Sequence, residues 1–345
     1  MYGQLNEPIR NVVPAWGQVM GYRSGMLEPT NPVAQQMIEL GMSNGDIIRH
    51  IVGASRLEPL GAVVDRFLGS DDLKQSFVLA TSDLITVRFN AIIAWIWSLV
   101  RRIPVSSFRP ERIPTVSGDG FFAQDEFAEA RYRGLQIDDP LEVTQLSTLG
   151  GLQTISRQAI INDDNGAIAS LADETASAAG LQMQTSLVEK LEASDTLADG
   201  LQFFNLTSGN LVSTGGSFPS MTSLDQITTK LYRATKPKGG IAAALPRFIL
   251  TPPELMTTVR TLLWASFNPP SFEGSAVKST AAPLGYATLP FTSATAWYVL
   301  ADPNVTPALG ILTLEGAQSP LTIESRKTPI ERDGVSFKAT LDYKV

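Results

Sequence analysis

An α+β architecture follows from three patterns in this 345-residue chain. Apolar residues recur at helical spacing through much of residues 31–102, and one amphipathic helix of about thirty residues occupies the middle. The tail then alternates apolar and polar side chains as paired strands do.

The first thirty residues mix Pro8, Pro14, Gly17, Gly21 and Pro29 with scattered apolar side chains, which reads as an extended arm without a core of its own. Asn31-Pro32 is a helix-start signal. Ser55-Arg56-Leu57-Glu58 has the Ser-x-x-Glu spacing of a capping box ahead of Leu60, Val63, Val64 and Phe67. Short helices are therefore expected over 31–69. Ser82 or Asp83 would cap a further helix over about 82–102. Its most apolar run, Ala91 to Val100, spans only about 15 Å as helix, against a hydrocarbon core of about 30 Å. That run reads as a buried or subunit-contacting helix, and no membrane partner is expected. Met1 to Met26 has no basic start followed by an apolar run, so no signal peptide is expected either.

Residues 103–150 change character, because Pro104, Pro110, Pro114, Gly118, Gly120 and Gly134 break any long helix. Acids collect at Asp119, Asp125, Glu126, Glu129, Asp138, Asp139 and Glu142, against Arg131 and Arg133 only. A projecting hairpin or loop with a solvated acidic face is expected. Just upstream, Arg101, Arg102, Arg109 and Arg112 stand against a single acid, Glu111. Opposite charges on adjacent segments suggest pairing between neighbouring subunits.

The long helix begins after Asn162, where Asp163 or Asp164 can accept the free amide protons of the first turn. Ile168, Leu171, Thr175, Ala179, Met183, Leu187 and Leu191 then line one face, as a helix over 163–193 requires. Such a rod, roughly 45 Å long, braces an elongated subunit. Further on, Phe248 to Thr251 reads as a buried strand, and Pro252-Pro253-Glu254 opens a helix carrying Leu255, Val259, Leu262 and Leu263. Ala296 to Leu300 is a second buried strand. Leu321 to Ser325 and Val335 to Tyr343 are joined through the turn pair Asp333-Gly334. In the last strand Val335, Phe337, Ala339, Leu341 and Tyr343 face a core and the alternate residues face water.

Composition narrows the function. The chain has no cysteine, one histidine (His50) and a formal charge of −7. Disulfides, thiolate nucleophiles and zinc-thiolate sites are excluded, and the acidic balance argues against a phosphate-neutralising nucleic-acid binder. There is no Gly-x-Ser-x-Gly elbow, and His50 beside Arg49 reads as a surface or packing histidine. No phosphate-cradling glycine loop occurs. Asn162 to Gly166 superficially suggests a calcium loop, but aligning Gly166 with the invariant glycine leaves Ile161 and Ala172 at ligand positions. No catalytic, cofactor or metal site is expected. Asp138-Asp139 as an acid/base pair is the remaining route to a soluble carboxylate-dependent enzyme.

Several ordered motifs carry a family resemblance. They are Thr81-Ser82-Asp83, Phe108-Arg109-Pro110, Thr154 to Asp164, Arg247 to Pro253, Ala296 to Pro303, Leu314-Glu315-Gly316 and Asp333 to Lys338. In this order they resemble tailed-phage major capsid proteins, in particular the Mu-like head subunit and the capsid part of prohead protease/capsid fusions. The resemblance implies the Hong Kong ninety-seven-type capsid fold, with residues 1–111 an N-terminal extension and arm and 112–152 an extended loop. Residues 153–205 and 311–345 would form a peripheral domain with the backbone helix, and 206–310 an axial domain. It implies a shell of pentamers and hexamers enclosing double-stranded DNA without sequence-specific contact, assembled in the host cytoplasm and found in the virion. A portal protein and a cement protein are the other implied partners. On this plan Arg101, Arg102, Arg109, Arg112, Asp125, Glu126, Glu129, Asp138 and Asp139 are the candidate inter-subunit contacts, and Asn162, Asp163 and Asp164 start the backbone helix. An encapsulin-like compartment would share the fold. No protease segment is present, so proteolysis is not implied.

Overall fold

The computed structural model describes residues 9–23, 25, 28–116, 137–162, 165–193, 200, 202–206, 210–212, 218–234, 244–267, 284–326 and 334–345. Five helices come first: α1 (Ile9–Arg23), α2 (Pro32–Glu39), α3 (Asn44–Val52), α4 (Leu60–Gly69) and α5 (Asp71–Ile93). The short α6 (Ile96–Leu99) leads into strands β1 (Arg101–Val105), β2 (Glu111–Val116), β3 (Ile137–Thr144) and β4 (Ser147–Ser156). Next come α7 (Arg157–Ile161), the long α8 (Asn165–Glu192) and α9 (Met221–Tyr232), followed by β5 (Pro246–Thr251). A 3-10 turn (Pro253–Leu255) then opens α10 (Met256–Phe267). The chain ends with β6 (Gly285–Thr288), β7 (Tyr298–Ala301), β8 (Gly310–Leu314), β9 (Leu321–Arg326) and β10 (Gly334–Lys344). The α+β class is as the sequence predicts. Two compact units divide the chain, Met1–Ala94 with Ser147–Gln182 and Gly316–Tyr343, and Trp95–Leu146 with Met183–Glu315 and Lys344–Val345.

In the first unit a helical layer forms around Trp16, whose ring meets Phe67 and Phe77 edge-on at centroid distances of 6.3 and 5.0 Å. The extended arm expected over the first thirty residues is corrected here: residues 9–23 are helical, and Val12, Ala15, Trp16, Val19 and Met20 are fully buried. Pro14 lies in the second turn of α1, where it gives up one intrahelical bond, and Gly17 is needed where α1 crosses α5, since a Cβ there would lie 2.3 Å from the Ala80 carbonyl oxygen. The helices expected over 31–69 are α2, α3 and α4. Asn31 caps α2 as expected. The full capping box, however, is Ser43 with Asp46 at α3. Ser55 and Glu58 tie the turn before α4, and Glu58 also pairs with Arg66 on that helix, whose own cap, Pro59, makes no side-chain bond.

The helix expected over 82–102 starts earlier and stops sooner, so Ser82 and Asp83 lie inside α5 and residues 101–105 are a strand. Phe77–Leu99 is long and apolar enough to cross a membrane by length and composition, which the shorter run Ala91–Val100 was not. Phe77, Val78, Leu84, Ile85, Phe89 and Ile93 are buried, with α1 and α4 packed on the helix. That is the pattern of a core helix.

The same unit holds the sheet β9–β10–β4, antiparallel throughout, with β10 central. Val335, Phe337, Leu341 and Tyr343 are buried as their alternation predicts. The opposite face is drier than expected. Ser336 and Thr340 are also buried, because flanking strands bring Thr154 Oγ1 to 2.9 Å from Ser336 Oγ and the Thr322 carbonyl within 3.3 Å of the Thr340 hydroxyl. Gly334 closes the ladder against Ile155, where a Cβ would fall 2.0 Å from the carbonyl oxygen.

β4 passes directly into α7, capped by the Ser156 hydroxyl on the Ala159 amide. This short helix precedes the long one, and Asn162 is its C-cap. Asp163 and Asp164 lie outside the described residues. In α8 the expected stripe is present: Ile168, Thr175, Met183, Leu187 and Leu191 are buried, while Leu171 and Ala179 are half-buried. Gly180 lets α8 touch α5, since its Cβ would fall 2.6 Å from Ile92 Cγ2, and Arg88 pairs with Asp173 at 2.5 Å between the same helices.

In the second unit β1 and β8 run parallel and enclose Val105, Leu146 and Leu312. β5 lies between β6 (parallel) and β7 (antiparallel), over a core of Leu224, Ile249, Val259 and Leu263. β2 and β3 form the hairpin expected in the proline- and acid-rich segment. Ser147 to Leu152, at the end of that segment, pair with β10.

Candidate functional site

Two open surfaces stand out. The first is the solvent face of the β9–β10–β4 sheet, where a groove of about 850 Å³ is lined by Thr148, Gly150, Gly151, Leu152, Ser325, Arg326, Lys338 and Thr340. β4 forms its wall with both faces mostly open, since Ser147 through Leu152 are exposed or half-exposed. Arg326 is paired with Glu324 at 2.9 Å, and Thr148 Oγ1 donates to Asp342 at 2.5 Å, so the rim is polar and satisfied.

The second surface is a pocket of about 600 Å³ lined by Trp97, Val100, Arg101, Arg102, Pro303 and Asn304. β1 presents the two arginines. The Arg102 guanidinium lies 5.4 Å from the Trp97 ring centroid, and its Nε donates to Thr313 Oγ1 at 3.0 Å. The aromatic face and the threonine hydroxyl together hold the guanidinium in place. Opposite it, Asp302 accepts from the Asn304 amide at 2.9 Å and holds the loop shape.

The expected contact residues distribute as follows. Arg101 and Arg102 share this pocket. Arg109 is exposed in the loop after β1, and Arg112 is exposed on β2, where its Cα partner on β3 is Val143. Asp138 stands opposite Thr115, and Asp139 follows it on β3. The hairpin thus brings a basic and an acidic segment together within one chain, a proximity that charge counts did not reveal. Asp125, Glu126 and Glu129 lie outside the described residues.

Sequence reasoning missed the C-terminal end of α8, where Glu192 Oε1 accepts the Thr292 amide at 2.9 Å and the Ser293 amide at 3.3 Å. Beside it Tyr298 packs on Phe204 and Phe291, and burial, reinforced by the Glu192 charge, raises its phenol above the ordinary value. His50 lies half-buried in α3. Among the described residues no cluster of His, Asp and Glu is arranged to hold a metal ion.

The comparisons with known proteins bear on the part of the chain that contains these strands. The model of the family described as phage capsid protein matches residues 141–345, more than half of the chain. No curated protein matches it. Among solved structures the chain is similar to the holo-SrpI encapsulin complex from Synechococcus elongatus, at 15% identity over 76% of this chain and 84% of that one, with a TM-score of 0.43. It is similar to a structure from Microbacterium phage Oxtober96 at 12% identity, over 73% and 83% of the two chains, with a TM-score of 0.40. A third likeness is to the satellite phage P4 procapsid including size determination protein, at 11% identity over 75% and 93%, with a TM-score of 0.37. On the match over residues 141–345, the chain belongs to the phage capsid protein family.

Proposed function

We propose that this chain is the major head subunit of a tailed phage, which assembles into pentamers and hexamers that close as an icosahedral shell around double-stranded DNA. The observation that carries the reading is the family match, which spans every strand from β4 to β10 and the long helix. Its function is geometric: identical subunits make heterologous contacts that close into rings, and the rings close into a shell. The 28 residues of α8 give a rod of about 42 Å.

On this reading the shell has the Hong Kong ninety-seven-type plan, with residues 112–152 as the extended loop, 153–205 and 311–345 as peripheral domain and 206–310 as axial domain. Arg101, Arg102, Arg109 and Arg112 contribute to contacts with acids of residues 119–142 in a neighbouring copy. A portal protein, a cement protein and unspecific contact with packaged DNA belong to the same plan, as does assembly in the host cytoplasm.

Electron microscopy of the purified chain after size-exclusion chromatography tests it. Closed polyhedral shells, or rings of five and six subunits, are expected. A monodisperse small species under every salt and crowding condition would overturn the reading. Shells that enclose other proteins rather than DNA when recovered from infected cells would favour a compartment of encapsulin type.

A further inference from the structure

We infer that the outer edge of β4 is a strand-pairing interface between two copies of this chain, a deepening of the self-assembly proposed above and dependent on it. Among the described residues β4 ends its sheet and pairs on one side only, with β10. An open strand edge is a template for any other strand, and proteins guard such edges with charge, proline, bulges or brevity. The other edges here are guarded. β1 carries Arg101, Arg102 and Pro104, and the β2–β3 hairpin carries Pro114, Asp138, Asp139 and Pro140. β9 carries Glu324 and Arg326, while β6 and β7 are four residues long. β4 has ten residues, Ser-Thr-Leu-Gly-Gly-Leu-Gln-Thr-Ile-Ser, with neither a charge nor a proline among them. Leu149 and Leu152 are nevertheless 41% and 52% exposed.

The two glycines supply a shape for the mate. At Gly150 a Cβ would fall 2.9 Å from the Ala339 carbonyl oxygen, so the position stays bare and opens the groove between Thr148 and Leu152. At Gly151 a Cβ would meet nothing within 4 Å. An edge that is long and uncharged is best matched by another of the same kind, and β4 of a second copy is the strand in this chain that answers the description. Two antiparallel β4 strands related by a two-fold axis at Gly151 place Leu152 of each copy opposite Gly150 of the other, on the same face of the joined sheet. Each leucine then fills the gap that the other copy's glycine leaves. Thr148 and Thr154 face each other at the flanks, where their hydroxyls form ordinary cross-strand pairs.

The absence of cysteine makes the pairing directly readable. Gly151→Cys introduces the only thiol, at a site with room for it, and opposed Cα atoms of an antiparallel pair lie about 4.5–5.5 Å apart, within disulfide reach. After mild oxidation of the assembled protein, a non-reducing denaturing gel is expected to show the Gly151→Cys band shifted from monomer to dimer, reversed by reductant. Ser177→Cys, exposed on α8, is the control and stays monomeric. A Gly151→Cys chain that stays monomeric overturns the pairing. Leu152→Lys puts a guard on the edge and is expected to abolish the contact while the circular dichroism spectrum is unchanged; association equal to that of the unmodified chain overturns the pairing as well. Closed shells without the linked dimer would sink the edge contact and leave the shell reading standing, whereas linked dimers that never close into shells would do the reverse.

Discussion

Trp16 shows how one side chain organises the helical layer. It is fully buried, donates from Nε1 to Asn44 Oδ1 at 2.9 Å, and contacts two phenylalanines. Asn44→Leu strands that indole donor without water and is expected to cost about 1–3 kcal/mol; Trp16→Ala removes the ring itself and costs about 3–5 kcal/mol. Chemical denaturation of the two variants measures both, and a cost for Asn44→Leu within error of zero would show that the bond is not needed. Tyr298 gives a pH signature. Its proton is held more tightly folded than unfolded, because burial and the Glu192 charge both disfavour the phenolate. The folded state therefore binds more protons than the unfolded one above the ordinary tyrosine value near 10, and stability falls as pH rises through that range. Thermal melts of the unmodified chain between neutral and alkaline pH should decline more steeply than those of Tyr298→Phe, and parallel curves would remove Tyr298 from the account.

Elements reveal why some of this fold was legible and some was not. β5, β7, β9 and β10 were readable because each is a compact apolar or alternating run bounded by Pro, Asp-Pro or Asp-Gly, and α8 because its stripe runs unbroken from Ile168 to Leu191. α1 was hidden by Pro14 and Gly17, both helix-weakening residues inside it: packing of its buried face outweighs the bond that Pro14 gives up, and Gly17 lets α5 approach. β1 was hidden behind the apolar helix before it, and β4 behind its paired glycines, which weaken strand propensity. The arginines of the candidate pocket were legible as a cluster, but Trp97 beside Arg102 was read only as part of an apolar helix, and Asn304 comes from distant sequence that no local pattern joins. The α5–α8 crossing can be tested as a unit. Gly180→Ala overpacks against Ile92 and is expected to cost about 1–3 kcal/mol, most of which Ile92→Ala in the same chain should restore. Additive losses in the double variant would show that the two positions do not share one space.

For the molecule as a whole, the distribution of lysine constrains how a shell could be held. No lysine occurs between Lys74 and Lys190, so residues 112–152, the extended loop of the proposed plan, have no side-chain amine with which to form covalent amide links between subunits. Mature particles are expected to give a single band of unlinked subunits on a reducing denaturing gel, and a ladder would refute this. The shell's strength must then lie in non-covalent contacts, which makes it sensitive to salt wherever arginine and carboxylate meet in solvent. The seating of α1 has a last consequence, for how such a particle could be processed. Proteolytic trimming during maturation that removed α1 would pull Trp16 out of its socket and leave Phe67 and Phe77 facing water. The seat of α1 thus acts as a keystone of the helical layer, and the mass of the subunit in finished heads should still include all of α1.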